Sequence, residues 1–244
     1  MPQTIGTTPS PLKSRDNHIL AALPDFEYQR LAPHLRPVHL SLGDILANEG
    51  APVQRIYFIN TGVISLVLTA AEGTDVEVGL IGPEGATGIG SVLTETPSIS
   101  RMTVQSKGNA VYLPADIFRQ EFHHNPTLQR LVLRHLQQLT IQTAQCGLCN
   151  RLHTVEQRLA RWLLLMQDRV DSAELELTQE FIADMLGIRR SGVTVAAGTL
   201  RDMNIIEYRR GCITILDQQK LEDTACECYA EITRRSKPLL AKGV

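Results

Sequence analysis

No apolar run in this 244-residue chain reaches the roughly 18–20 residues that cross a bilayer. Its first 16 residues, MPQTIGTTPSPLKSRD, lack the apolar core of a secretory signal and are rich in Pro, Ser and Thr. A flexible tail over residues 1–18 and a cytoplasmic location are therefore expected. Excess positive charge is also missing. At a net charge of −2 the chain is no bulk polycation, so any nucleic-acid affinity must come from a local patch. Catalytic signatures are absent too. There is no P-loop, no glycine-flanked serine and no HExxH pair, so an enzyme is not expected. No cysteine precedes Cys146, and the chain's five are an odd number without a small-domain disulfide framework, which suits a reducing compartment. What is present, 43% apolar and 20% charged residues, is the composition of a globular protein with room for two modest domains.

The most informative stretch is residues 177–216, LTQEFIADMLGIRRSGVTVAAGTLRDMNIIEYRRGCITIL. Thr178 is a helix cap, and Ile182, Met185 and Leu186 follow at helical spacing. Gly187 then stops the helix where a left-handed residue is wanted. A second helix is expected from Arg189 or Arg190 to Met203, with Val193, Ala196, Ala197 and Leu200 inward. Its opening residues Arg189, Arg190, Ser191 and Thr194 are left to point outward. Ile205 to Tyr208 and Ile213 to Leu216 read as strands joined through Arg209-Arg210-Gly211. This is the plan of a winged helix-turn-helix, whose second helix enters the major groove of DNA while the hairpin meets phosphates. Between Gly187 and Gly211 five arginines stand against Asp202 and Glu207, a local excess of three positive charges. The expected DNA contacts are Thr178, Gln179, Arg189, Arg190, Ser191, Thr194, Arg209 and Arg210. Acidic residues at 168, 171, 174, 176, 180 and 184 read as a solvated helix-loop surface.

Over residues 38–113 short apolar strands alternate with glycine turns at positions 43, 50, 62, 73, 82 and 108, the pattern of an antiparallel barrel or jelly roll. A long helix is expected from Phe118 to Asn150, with His123-His124 in its starting turn. Leu128, Val132, Leu136, Leu139, Thr143 and Cys146 form a stripe along it, either a core face or one seam of a two-chain coiled coil with His135 beside it. The fold class is thus α+β: an antiparallel β-roll (19–117), a long dimerisation helix (118–150) and a C-terminal winged helix-turn-helix (151–244).

Roll, long helix and winged helix in this order resemble the Crp/Fnr family of bacterial transcription regulators. The similarity is carried by Leu46-Ala-Asn-Glu-Gly50, Ile56-Tyr-Phe-Ile-Asn-Thr-Gly62, and His153-Thr-Val-Glu-Gln-Arg-Leu-Ala-Arg-Trp162. The resemblance implies a homodimer, a palindromic double-stranded DNA operator with half-sites one helical turn apart, and RNA polymerase as a further partner. In the recognition helix an arginine of the common motif matches Arg190, while Ser191 stands for its glutamate and Val195 for a second arginine. Relatives that bind cyclic AMP carry a glycine–glutamate pair for the ribose and an arginine for the phosphate. Here the loop is Gly82-Pro-Glu-Gly-Ala-Thr-Gly-Ile-Gly90, with Ala86 or Thr87 at the glutamate position. Ser100 occupies the arginine position, and Arg101 lies one residue late on a strand, hence on the other face. Glu84, Gly85, Ala86, Thr87, Ser100 and Arg101 are the candidate effector contacts. Cyclic AMP is not the expected effector, and the sequence identifies neither an effector nor a cofactor.

Cys146-Gly-Leu-Cys149 has the spacing of thiol redox pairs and zinc knuckles, with His153 as a third ligand candidate and Cys226-Glu-Cys228 as a further one. On a continuous helix Cys146 falls on the apolar stripe, so small buried cysteine is the stronger reading and no metal site is expected. The iron–sulfur members' N-terminal cysteines are missing, and no haem ligand signature stands out. Two other functions remain as alternatives: a thiol- or metal-responsive sensor using Cys146 and Cys149, and a winged-helix module that binds protein rather than DNA.

Overall fold

The computed structural model describes residues 15–240, with side chains described through residue 235. The tail expected over 1–18 lies outside the described residues up to position 14. Its last part is docked. Asn17 caps the short helix α1 (His18–Ala21), and its amide donates to the carbonyls of Ile59 and Gly85, both at 2.8 Å. Helix α2 (Asp25–Leu31) follows, its Leu31 buried in one core cluster with Phe58 and Leu128.

The roll is a five-stranded antiparallel sheet of β1 (Arg36–Leu40), β2 (Ile45–Ala47), β3 (Arg55–Thr69), β4 (Asp75–Ile81) and β5 (Arg101–Pro114). The order is β1-β5-β3-β4, with β2 also on β5, and helix α3 (Ile89–Thr94) lies between β4 and β5. Two glycines expected to separate strands instead lie inside them. Gly62 in β3 and Gly108 in β5 face each other where the long strands cross. A Cβ on Gly62 would stand 2.6 Å from the Ser106 carbonyl, and one on Gly108 would meet the Thr61 carbonyl. Only glycine permits that approach, so four expected short strands become two long bulged ones.

The long helix also starts later than expected. Helix α4 (Ala115–His124) ends with His123 and His124 in its last turn, and Asn125 has extended backbone. Pro126 then opens α5 (Pro126–Leu152), since proline suits a first helical turn and disfavours helix in the residue before it. The stripe, read from the sequence as either a core face or a dimer seam, packs against the roll over its first half. Leu128 and Val132 are fully buried in the roll core, and Leu136 and Leu139 pack against the roll. Thr143 is exposed and donates to the Val78 carbonyl at 3.1 Å. The outward face carries Leu133, Gln137, Thr140, Ala144 and Leu148.

Thr154 and Gln157 form a capping box at the head of α6 (Val155–Val170). The winged helix then comprises β6 (Glu174–Glu176), α7 (Gln179–Leu186), α8 (Arg190–Asp202), β7 (Ile206–Arg209), β8 (Cys212–Ile215), α9 (Gln218–Thr224) and α10 (Cys228–Leu240). Strand β6 lies within the expected acidic helix-loop surface. Glu174 and Glu176 point out while Leu175 between them is buried, and β6 completes a sheet of order β6-β8-β7. One core runs through both halves: Val63, Val67 and Leu80 of the roll join Trp162, Leu163 and Met166 of α6 and Ile182 and Leu200 of the winged helix.

Candidate nucleic-acid interface

Helices α7 and α8 meet through a tight turn. Gly187 adopts φ 61°, its amide returns to Asp184 at 3.1 Å, and the Ile188 amide returns to Ala183 at 3.0 Å. Val193, Ala196, Ala197 and Leu200 bury one face of α8, as their spacing requires. The other face presents Arg190, Ser191, Thr194 and Val195 to solvent. Arg189 stands at the N-cap without a side-chain cap, and its carbonyl takes the Gly192 amide at 2.9 Å.

The expected contacts form one surface. Thr178 caps α7 by accepting from the Phe181 amide at 3.1 Å. Gln179 accepts from the Thr194 hydroxyl at 2.9 Å, while its own amide donates to the Tyr208 hydroxyl at 3.1 Å. The Leu177 amide donates to Gly211 at 2.7 Å, which sets the hairpin tip beside the start of α7. Arg210 and Gly211 have φ 49° and 81°, the signature of a two-residue type I′ turn. Arg209 reaches back to Glu207 at 2.6 Å, so it carries part of its charge in an exposed pair. Arg210 is exposed at the tip. Val195 was left out of the expected contacts, yet its side chain is 64% exposed on the same face as Ser191. An apolar residue on an outward helical position was the available signal.

The six candidate effector residues do not converge. Glu84 pairs with Arg169 of α6 at 2.8 Å and accepts from the Gly82 amide at 3.1 Å. Burial would raise its pKa, but the Arg169 charge and the backbone amides hold it below the ordinary value. Gly85 has no room for a Cβ beside His135, and the His135 ring sits 2.9 Å from the Ala86 carbonyl. Burial lowers the His135 pKa, so the ring is neutral. The Thr87 amide donates to Tyr57 at 3.0 Å, Ser100 is buried with its carbonyl accepting from Ser98 at 2.7 Å, and Arg101 pairs with Asp75. Only Glu84 of the six lines the cavity of about 410 Å³ between roll and α6, shared with His135, Gln142, Asp168, Arg169 and Tyr229. Cys146 and Cys149 also part: Cys146 accepts from Arg161 at 3.2 Å, and Cys149 lies 3.4 Å from Cys226.

The roll and the winged helix each match a known domain family: residues 37–125 the cyclic nucleotide-binding domain, and residues 157–224 the Crp-like helix-turn-helix domain. A Mycobacterium tuberculosis protein described as a CRP-like cAMP-activated global transcriptional regulator is 27% identical over 199 residues, covering 78% of this chain and 88% of the relative. The global nitrogen regulator of a Nostoc species is 26% identical over 176 residues, 68% of this chain and 78% of the relative. Among solved structures, a putative transcriptional regulator of the crp/fnr family from Eubacterium rectale superposes with TM-score 0.66 at 17% identity. That match covers 84% of this chain and 96% of the other, and it shows the shared fold. With both domains matched in the order of that architecture, the chain belongs to the Crp/Fnr family, whose members are transcription regulators rather than enzymes.

Proposed function

We propose that this regulator binds a two-fold symmetric DNA site as a homodimer, reads it with α8, and does so without cyclic AMP. The observation that carries the reading is the outward face of α8, where Arg190, Ser191, Thr194 and Val195 stand exposed between an uncapped helix start and an arginine-tipped wing. Arg190 suits a guanine edge, Val195 suits a thymine methyl, and Arg209 and Arg210 suit phosphates. In this division of labour residues 19–117 are the sensor, the long helix joins the dimer, residues 151–244 bind DNA, and the protein works in the cytoplasm. The free face of α5 around Leu133, Gln137 and Leu148 is the surface left for a second copy. Cyclic-AMP independence is supported by the occupied partners of Glu84 and Arg101 and by the neutral side chains of Ala86, Thr87 and Ser100.

Selection from genomic fragments at physiological salt, without added nucleotide, tests this. Enrichment of a short palindrome is expected, with light scattering giving a dimer. Enrichment only after cyclic AMP is added contradicts nucleotide independence, and no enrichment under either condition contradicts the DNA-reading role.

A further inference from the structure

Four side chains from distant parts of the chain converge at the end of α5. Cys149 lies in its last turns, and His153 follows one turn later at the joint with α6. Cys226 and Cys228 arrive from the other end of the sequence, the latter as the first residue of α10. One donor atom from each lies within 4.8 Å of all the others, and the three cysteines are buried and free of disulfides. They form a core cluster of their own, without an aliphatic residue among them. Buried cysteines ordinarily pack among leucines and valines as small hydrophobes. Three thiols gathered beside an imidazole call for another account.

We propose that Cys149, His153, Cys226 and Cys228 form a tetrahedral site for a single soft divalent ion of the zinc class. Thiolates at about 2.3 Å and an imidazole at about 2.0–2.1 Å place tetrahedral donor atoms roughly 3.5–3.8 Å apart. Cys149 Sγ stands 3.4 Å from Cys226 Sγ, and Cys228 Sγ stands 3.5 Å from His153 Nδ1. A polynuclear cluster spreads its sulfurs around several metal atoms and fits so tight a quartet less well. The outer shell is also of the expected kind. The Glu227 carboxylate takes the other ring nitrogen, Nε2, at 3.2 Å, which leaves Nδ1 as the donor facing the thiols. Gln145 donates to Cys228 Sγ at 3.2 Å.

Charge closes the case. Three thiolates around a divalent ion leave one negative charge in a buried place. Arg158 and Arg161 of α6, 8% and 3% exposed, are close enough to Cys149 and Cys226 to feel their charge. Neither arginine has a carboxylate ion pair among the described residues, and the Nε of each is buried without an acceptor. An anionic metal centre adds counter-charge beside both arginines, of which Arg161 also feels the Glu77 carboxylate. Binding releases the three thiol protons as the ion enters. The result is a clasp tying the long helix, the α5–α6 joint and α10 together.

The test uses the reduced full-length chain, freed of any histidine tag, and two probes. Elemental analysis should find a single equivalent of zinc per chain, and cobalt(II) added to metal-free protein should give the visible bands of a tetrahedral thiolate site. Cys226→Ser and His153→Gln should lose both signals, whereas Cys146→Ser should keep both. Because the cobalt spectrum is read on unaltered protein, misfolding of a variant does not shield the proposal. It is overturned by a reduced wild-type chain that gives no cobalt bands, by metal retained in folded Cys226→Ser, by loss of metal in folded Cys146→Ser, by an iron–sulfur chromophore, or by a Cys149–Cys226 disulfide in the protein as isolated.

Discussion

Glu77 is the residue whose surroundings make the firmest demand. It sits in β4 with one carboxylate oxygen 2.9 Å from the Trp162 indole nitrogen and the other 2.8 Å from the Ser65 hydroxyl. Burial pushes its pKa from 4.5 up to about 7, against the lowering effect of these donors and of Arg161. An unfolded carboxyl releases its proton near the ordinary value, so between that value and about 7 the folded state holds the extra proton. Stability therefore falls as pH rises through this window. Urea melts at several pH values should show wild type losing ground to Glu77→Gln from about pH 4.5 to about 7, and a constant difference would refute the assignment. On the DNA side the proposed base reader is Arg190, exposed at the head of α8. Arg190→Ala should weaken the selected operator by about 1–3 kcal/mol and relax one base pair, while random DNA is bound nearly as before. Equal losses on both DNAs in a gel-shift titration would instead make Arg190 a phosphate contact.

Among the elements, α7, α8 and the wing were legible because their signals are local: a capping threonine, a glycine stop, apolar residues three and four apart, and a positive-φ turn. Strand β6 was hidden because its three residues alternate as acid–leucine–acid and pair only with β8, far along the chain. The break before α5 was written in Asn125-Pro126 but masked by apolar spacing that continues across it. His153 and the Cys226–Cys228 pair could be named from the sequence as candidate partners of Cys149, but CxxC spacing grouped Cys146 with them, and nothing local shows that Cys226, 77 positions away, replaces it. The two crossing glycines show the same limit, with a definite consequence. Gly108→Ala forces a methyl against backbone that cannot yield and should cost about 1–3 kcal/mol in chemical denaturation. Gly43→Ala has open space but φ 84°, so its smaller penalty is purely conformational. For the wing, Arg210→Gly keeps the left-handed turn and removes only the cation. The slope of log affinity against log salt should then drop by about one unit without a change in preferred sequence. An altered preferred sequence would mean that the wing reads bases.

At the scale of the molecule, roll and winged helix behave as one packed body. Gly187 at the α7–α8 turn comes so close to Val76 of β4 that a Cβ there would stand at 2.9 Å, and Glu84 of the roll pairs with Arg169 of α6. The single tryptophan lies at this junction. Denaturation followed by its fluorescence and by helical circular dichroism should give superimposable curves, and a fluorescence change at lower denaturant would mean that the halves part before either unfolds. Helix α6 sets the terms of any such parting. Residues 158–166 are buried without interruption, so this helix has no side of its own that water already wets over that span. Rearranging the two halves cannot be a simple opening, because leucine and tryptophan surface would be left bare. Each contact that the roll gives up must be taken over by some other surface, from this chain or a second copy. A signal reaching the DNA-reading helix therefore travels as a trade of neighbours around one axle.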